Sequence, residues 1–307
     1  MRVLIISGPT ATGKTKLGVR LAKDLNGEII SADSMQVYRG MDIGSAKVTK
    51  EESEGVRHHM IDIIEPDQAY SIVEYKNAAK KCIEDINSRG KLPIVVGGTG
   101  FYIHALLYDT DFDENESGGE LRAGLEAEME EKGPEYMHDK LRMIDPESAE
   151  IIHMNNRKRV IRALEFYELS GKKISDHNIE ERSKDSPYEF LYFAITRNRD
   201  ELYKAIDDRV DRMMEAGLLD EVIALRNRGM ARGLTSMQGL GYKELLDYLD
   251  GKCSLEEAVE RIKQESRHYA KKQWTWLRRE KDVIWVEAPV DEEKYKWILN
   301  ECMKLSV

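Results

Sequence analysis

The octapeptide Gly8-Pro9-Thr10-Ala11-Thr12-Gly13-Lys14-Thr15 constrains this 307-residue chain more than any other feature. It fits G-x-x-x-x-G-K-[ST], the pattern of a loop whose backbone N–H groups wrap phosphate oxygens. A pattern match alone is weak, so its flanks decide. Before it, RVLIIS (2–7) is a short β-branched and leucine run of the kind that forms a buried parallel strand. After it, Leu17, Leu21 and Leu25 recur at helical spacing, and Asn26-Gly27 supplies the stop. Strand, glycine loop and helix together place the loop amides and a helix N-terminus around an anion. In that setting Lys14 neutralises the outer phosphate and the Thr15 hydroxyl ligates Mg²⁺. The loop does not distinguish a diphosphate from a longer polyphosphate.

The following segments repeat the alternation. A second strand at 28–31 leads into Ala32-Asp33-Ser34, a helical pattern covers 71–88, and LPIVVGG (92–98) reads as another buried strand before a helix from Phe101. Such an order predicts a parallel sheet with right-handed crossovers. From Asp111 the chain turns to charged helices. ENESGG (114–119) reads as an exposed linker, and 121–132, 134–143 and 146–170 read as helices, with Gly171 as a C-cap. Strand character returns at EFLYFAIT (189–196). Helices are expected at 199–228, 241–249 and 254–280, and a last strand at 283–288. The expected fold class is α/β, with a P-loop parallel-sheet core and a helical C-terminal region. The core spans 1–110 and 188–307, and a helical insertion domain occupies 111–187.

A net charge of −10 argues against a polyanion partner until its distribution is read. Residues 111–150 hold 14 acids against 4 bases, so the remainder is neutral overall. Within it, 153–173 carry 6 bases against 2 acids, and 261–279 carry 7 against 1. Solvated helix faces and an RNA-binding surface account for these basic stretches equally well. No apolar run approaches a membrane span. The strand-like N-terminus leaves no room for a cleavable leader, and Cys82, Cys253 and Cys302 match no metal spacing. A cytoplasmic protein with reduced thiols is expected, without membrane attachment.

An ordinary NTPase needs a second-strand carboxylate for its metal. Here LPIVV runs into Gly97-Gly98-Thr99-Gly100 instead, so ATP and GTP hydrolysis are not expected. Thr99 offers a hydroxyl and Gly100 an amide toward a phosphate-bearing group, although a tight turn alone also explains the glycines. Asp33 follows the second strand, where parallel sheets place ligand groups. It fits an Asx turn or a helix cap, and opposite a P-loop it fits a general base.

The segments GPTATGKT (8–15), SADSMQVYRGMDIGSAK (31–47), HHMIDI (58–63), GGTGFYIHALLY (97–108), NNRKRVIRALE (155–165), DDRVDRMMEAGLLDEV (207–222), QGLGYKE (238–244) and KKQWTWLRR (271–279) together resemble the tRNA dimethylallyltransferases over nearly the whole chain. DSMQVY after the second strand is the most diagnostic of them. The resemblance implies transfer of a dimethylallyl group from dimethylallyl diphosphate to N6 of the adenine just 3′ of a tRNA anticodon. Asp33 would take the N6 proton. Residues 8–15 with Mg²⁺ on Thr15 would hold the leaving diphosphate, assisted by Thr99 and Arg209. Arg209 owes its role to the resemblance alone, since in the sequence it is one arginine on a charged helix.

Ser34, Met35 and Gln36 would flank the flipped base. Arg157, Lys158, Arg159 and Arg162, Gln238 and Gly239, and His268, Lys271, Lys272, Gln273 and Arg278 would contact the anticodon stem-loop. Trp274 and Trp276 fit base stacking, although their helical spacing favours core positions. A monomer is expected. A P-loop nucleoside kinase, a prenyltransferase acting on free AMP or ADP, and a non-catalytic RNA-binding protein are the competing readings. The basic C-terminal helix weighs against the first two, and Lys14, Thr15 and Asp33 together weigh against the third.

Overall fold

The computed structural model describes residues 1–110 and 119–306, and these fall into two compact units. The larger comprises Met1–Leu107 with Pro187–Val307, and the smaller Tyr108–Ser186. Most of the 114–119 segment read as a linker lies outside the described residues. No helix among them is long and apolar enough to cross a membrane. Cys82, Cys253 and Cys302 are free.

The larger unit opens with β1 (Arg2–Ser7), α1 (Lys14–Asp24), β2 (Gly27–Ser31), α2 (Lys50–Ser53) and β3 (His58–His59). It continues through α3 (Ile72–Ser88), β4 (Leu92–Val96) and α4 (Gly100–Leu107). The smaller unit carries α5 (Gly119–Ile144), α6 (Pro146–Ile151), α7 (Arg157–Ser170) and α8 (Ile174–Ser183). The larger unit then resumes with β5 (Glu189–Thr196), α9 (Arg199–Glu215), α10 (Leu218–Asn227), a 3₁₀ turn at Ser236–Gln238 and α11 (Tyr242–Leu249). It ends with α12 (Leu255–Leu277), β6 (Val283–Glu287) and α13 (Glu292–Ser306).

The α/β class expected from the alternation is the one formed. Six parallel strands run in the order β3-β2-β4-β1-β5-β6. The apolar runs of β1, β2, β4 and β5 are buried, with Leu4, Ile6, Ile29, Ile94, Phe193 and Ile195 packed against Leu17 and Leu21 of α1 and Ile298 of α13. A second cluster around Tyr38, Val210, Leu218, Tyr242 and Ile262 joins the segment after β2 to α9–α12. The smaller unit has its own core of Leu125, Met129, Met137, Leu141, Val160 and Leu164.

Several helices differ from the sequence reading, each for a local reason. Residues 146–170 form two helices, because Ile152 turns extended and α7 restarts after Asn156. Residues 199–228 also form two, divided at Gly217, whose φ of 97° no helix accommodates. The break expected between 132 and 134 is a kink at Gly133, with φ 86° ahead of Pro134. β3 is only two residues long and carried no period-2 signal.

At the edge of the sheet opposite the glycine loop, the Glu28 carboxylate is 3% exposed. It accepts hydrogen bonds from Arg89, from Lys91 at 2.8 Å, and pairs with His59 at 2.7 Å. These bonds, Arg89's foremost, hold its pKa far below the usual carboxylate range despite burial. The resulting stability is present above the unfolded carboxylate pKa and is lost as pH falls below it. Glu28→Gln should therefore destabilise the protein by about 3 kcal/mol at pH 7, with a smaller deficit near pH 3. Urea melts at the two pH values test this, and a deficit independent of pH would contradict it.

Candidate functional site

Residues 8–13 leave β1 at the carboxyl edge of the sheet. Gly8 has φ 145°, and a Cβ there would lie 2.3 Å from the Ile195 carbonyl oxygen on the neighbouring strand. Glycine is thus required for the exit from β1. Ala11 and Gly13 also take positive φ, 62° and 89°, which turns the intervening amides toward one concave face. Thr12 Oγ1 and Lys14 Nζ both donate to the Pro9 carbonyl, at 2.8 and 2.7 Å. α1 starts without a side-chain cap or an acid in its first turn. By contrast, α3 is closed by a Ser71–Glu74 capping box. The first amides of α1 and the positive end of its dipole are therefore left for an external anion.

The loop borders a cavity of about 460 Å³. Thr10, Lys14 and Thr15 enter it from the loop, Asp33, Ser34, Met35 and Gln36 from the segment after β2, and Arg209 from α9. Gly97 and Gly98 close it after β4, and Tyr269, Lys272 and Gln273 reach it from α12. Thr99 acts from behind, its Oγ1 accepting the Ser34 N–H at 3.1 Å. Asp33 does form an Asx turn, its Oδ1 accepting the Met35 N–H at 2.8 Å. That bond fixes the carboxylate and leaves Oδ2 without a hydrogen bond among the described residues.

Desolvation by the cavity walls, followed by the charge of Arg209, lowers the Lys14 pKa to about 7, while Asp33 pulls it upward. Arg209 is lowered as well, chiefly by desolvation, with Asp33 opposing. Two crowded cations and one oriented carboxylate thus share the pocket, a pattern typical of functional sites.

The remaining residues singled out in the sequence divide into several groups. Gln36 is fully engaged, accepting from Ser31 Oγ at 2.8 Å and donating to the carbonyls of Ser45 and Ala46. Met35 packs on Gly239, and Gln238 donates to the Arg232 carbonyl. Lys271 of α12 and Arg278 at its C-cap are exposed, Arg278 lying 3.5 Å above the Trp274 ring. His268 pairs with Glu265 at 3.2 Å. Trp276 packs edge-on against Phe101 and His104 and over Gly100, which makes it a packing residue. Gln273, read as an RNA contact, is 8% exposed and has both amide atoms bonded internally.

In the smaller unit, Lys158 and Arg159 are exposed, and Arg157 pairs with Glu130. Arg162 lies 3.3 Å from Glu165, a carboxylate 1% exposed, so its charge serves the core of that unit.

Two residues escaped the sequence reading. Tyr269 lies one helical turn before Gln273, a spacing that could have signalled it. Its hydroxyl approaches Thr99 and Gln273, and burial pushes its pKa up to about 12. Glu221 accepts the N–H groups of Asp42 and Ile43, both at 2.8 Å, that of Gly44 at 3.1 Å, and the Tyr242 hydroxyl at 2.7 Å. It thereby fixes the 42–46 wall of the cavity, and only the fold could reveal that.

A family model described as IPP transferase matches residues 36–280. A tRNA dimethylallyltransferase of Lachnoclostridium phytofermentans is 53% identical, covering 99% of this chain and 96% of its own length. Among solved structures, the full-length tRNA isopentenylpyrophosphate transferase of Bacillus halodurans is 45% identical with TM-score 0.74, over 99% of this chain and 96% of that one. A eukaryotic dimethylallyltransferase acting on tRNA is 31% identical with TM-score 0.84, over 99% of this chain and 79% of that one. The chain belongs to the IPP transferase family.

A lysine with a pKa about 7 is a nucleophile at neutral pH. Competitive labelling with an amine-reactive reagent should modify Lys14 with a midpoint near pH 7, and added diphosphate should protect it by restoring the charged form. A midpoint near that of the surface lysines would contradict this electrostatic account.

Proposed function

We propose that this IPP transferase family member moves a dimethylallyl group from dimethylallyl diphosphate to N6 of the adenine 3′-adjacent to a tRNA anticodon. One observation carries the reading: an Asx-fixed carboxylate, Asp33, faces the same cavity as Lys14, Arg209 and the uncapped start of α1. The activity of the relatives supplies the substrate class.

In this reaction N6 attacks the allylic C1, the C1–O bond breaks, and its electron pair leaves on the diphosphate. The adenine amine is a weak nucleophile, because its lone pair is conjugated with the ring. Asp33 accepts its hydrogen bond and then its proton as the C–N bond forms. Lys14, Arg209 and the loop amides stabilise the charge that gathers on the leaving group. Thr99 acts through position, holding the backbone of Ser34 beside the base. The adenine reaches the pocket by leaving its stack, past Ser34 and Met35.

Thr15 lines the cavity at the start of α1. Its hydroxyl is the group that would hold a Mg²⁺ ion here. When bound, the ion adds positive charge at the leaving oxygens. Among the described residues no cluster of three His, Cys, Asp or Glu could hold a metal.

RNA contact is assigned to the exposed cations: Lys271 of α12 and Arg278 at its C-cap, and Lys158 and Arg159 on α7. A cytoplasmic, monomeric enzyme is the corresponding setting.

An anticodon stem-loop incubated with protein, dimethylallyl diphosphate and Mg²⁺ should gain one dimethylallyl mass, and failure to do so would remove the proposed activity. Asp33→Asn should bind both substrates nearly normally while kcat falls on the order of 10² to 10⁴-fold. Lys14→Ala should weaken donor binding as well as rate. Near-normal turnover in Asp33→Asn would leave the residue as a turn-former only.

RNA affinity should fall steeply with salt despite the acidic composition. The double change Lys158→Ala and Arg159→Ala should reduce the log–log slope by about 1 per lost phosphate contact. Arg162 is unsuitable for this test because it neutralises Glu165. An unchanged slope would remove α7 from the RNA surface.

A further inference from the structure

We propose that Gln273 sets the number of phosphoryl groups the cavity accepts, admitting two and turning away a third. This rests on reading the cavity as a diphosphate site. The orientation of the amide is fixed by its partners: Oε1 accepts the Thr10 N–H at 2.9 Å, and Nε2 donates to the Gly98 carbonyl at 2.9 Å. A backbone N–H only donates and a carbonyl only accepts, so the amide cannot be flipped. Gly98 makes room for this arrangement, since a Cβ there would lie 2.1 Å from Nε2.

Thr10 stands near the far end of the loop from α1. The start of α1 serves the phosphoryl groups nearest the helix, and Lys14 reaches back along the loop, its Nζ 2.7 Å from the Pro9 carbonyl. The outermost phosphoryl, which Lys14 would meet beside Pro9, is accordingly assigned to the neighbouring Thr10 amide. Here that donor is already taken by a buried side chain. A third phosphoryl would have to break the Thr10 bond and would meet Oε1, an acceptor with no proton to offer it. Two acceptors facing each other in a desolvated place repel. Charge alone would favour the longer, more anionic ligand, so a preference for diphosphate needs such a device. Its consequence is that nucleoside triphosphates, which carry the same inner phosphates, do not compete for the loop.

Calorimetry on the full chain with inorganic diphosphate, inorganic triphosphate and ATP, each with Mg²⁺, tests this. The unaltered protein should bind diphosphate in preference to triphosphate. Gln273→Ala should narrow that ratio on the order of tenfold, the scale of one mispaired polar contact. Gln273→Glu keeps an acceptor for Thr10 and adds negative charge, so it should widen the ratio. Gln273→Met, which preserves volume, should narrow it and serves if the alanine variant fails to fold.

Ratios unmoved while both affinities fall together would overturn the proposal, because Gln273 would then only brace the loop. An unaltered protein that transfers no dimethylallyl group but shows these ratio changes would sink the proposed reaction and spare the length filter. Transfer with unresponsive ratios would do the reverse.

Discussion

The site depends on strand registration. Ser31 pairs with Val96, Ile6 with Val96, and Ser7 with Ala194, so β2, β4, β1 and β5 end level with one another. The hydrogen bonding continues past the strands: Ala32 N–H donates to the Val96 carbonyl at 2.8 Å, and Thr99 N–H to the Ala32 carbonyl at 3.0 Å. Ser7 Oγ donates to the Gly97 carbonyl at 2.9 Å. These bonds lock the exits of three strands together, which is why the glycine loop, Asp33 and Thr99 converge although far apart in sequence. The carboxyl edge of a parallel sheet is where such folds place ligands. A register slip of one residue would reverse the faces of these side chains and disperse the site.

α12 completes the edge from above. Its acidic first turn and Ser254 capping box suit an ordinary surface helix. Arg267 pairs with Asp207 at 2.6 Å, and Lys263 with Asp211 at 2.7 Å, both on α9. The α9 helix that supplies Arg209 is therefore held against the α12 helix that supplies Tyr269 and Gln273. Outward, the same helix presents Lys271 and the Arg278–Trp274 stack. A single element thus joins an exposed basic face to the frame of the buried pocket.

The turn from β1 through the glycine loop into α1 and the parallel core were legible in the sequence because their signals are local. Gly8, Gly13 and Lys14 lie within seven residues, and buried strands announce themselves as apolar runs. The helical ends were less legible. The split at Gly217 depends on one φ value, and the split at 152–156 on the extended Ile152, whose carbonyl lies 2.8 Å from His138 Nε2 of α5. Charge misled in one respect. Arg162 and Gln273 sit in basic, polar stretches that suggest an RNA face, yet the first neutralises a buried glutamate and the second is enclosed. Charge counts cannot distinguish a cation facing solvent from one paired with a buried carboxylate one turn along its own helix, as Arg162 is with Glu165. Glu221 was invisible for a related reason, since its partners come from other elements.

The placement of Asp33 relative to the loop bears on which bond such a site can break. In P-loop phosphoryl transfer the electrophile is the outer phosphorus, and metal and nucleophile gather around it. Here β4 is followed by Gly97 and Gly98, and the carboxylate stands one strand over, after β2. In the proposed reaction the diphosphate is held as a leaving group, and the electrophilic carbon extends from it toward Asp33. Stabilising charge on the diphosphate then weakens the C–O bond, whereas a base at Asp33 serves a nucleophile directed at carbon. On that proposal the same nest of amides would serve alkyl transfer, because Asp33 would stand on the carbon side of the phosphate.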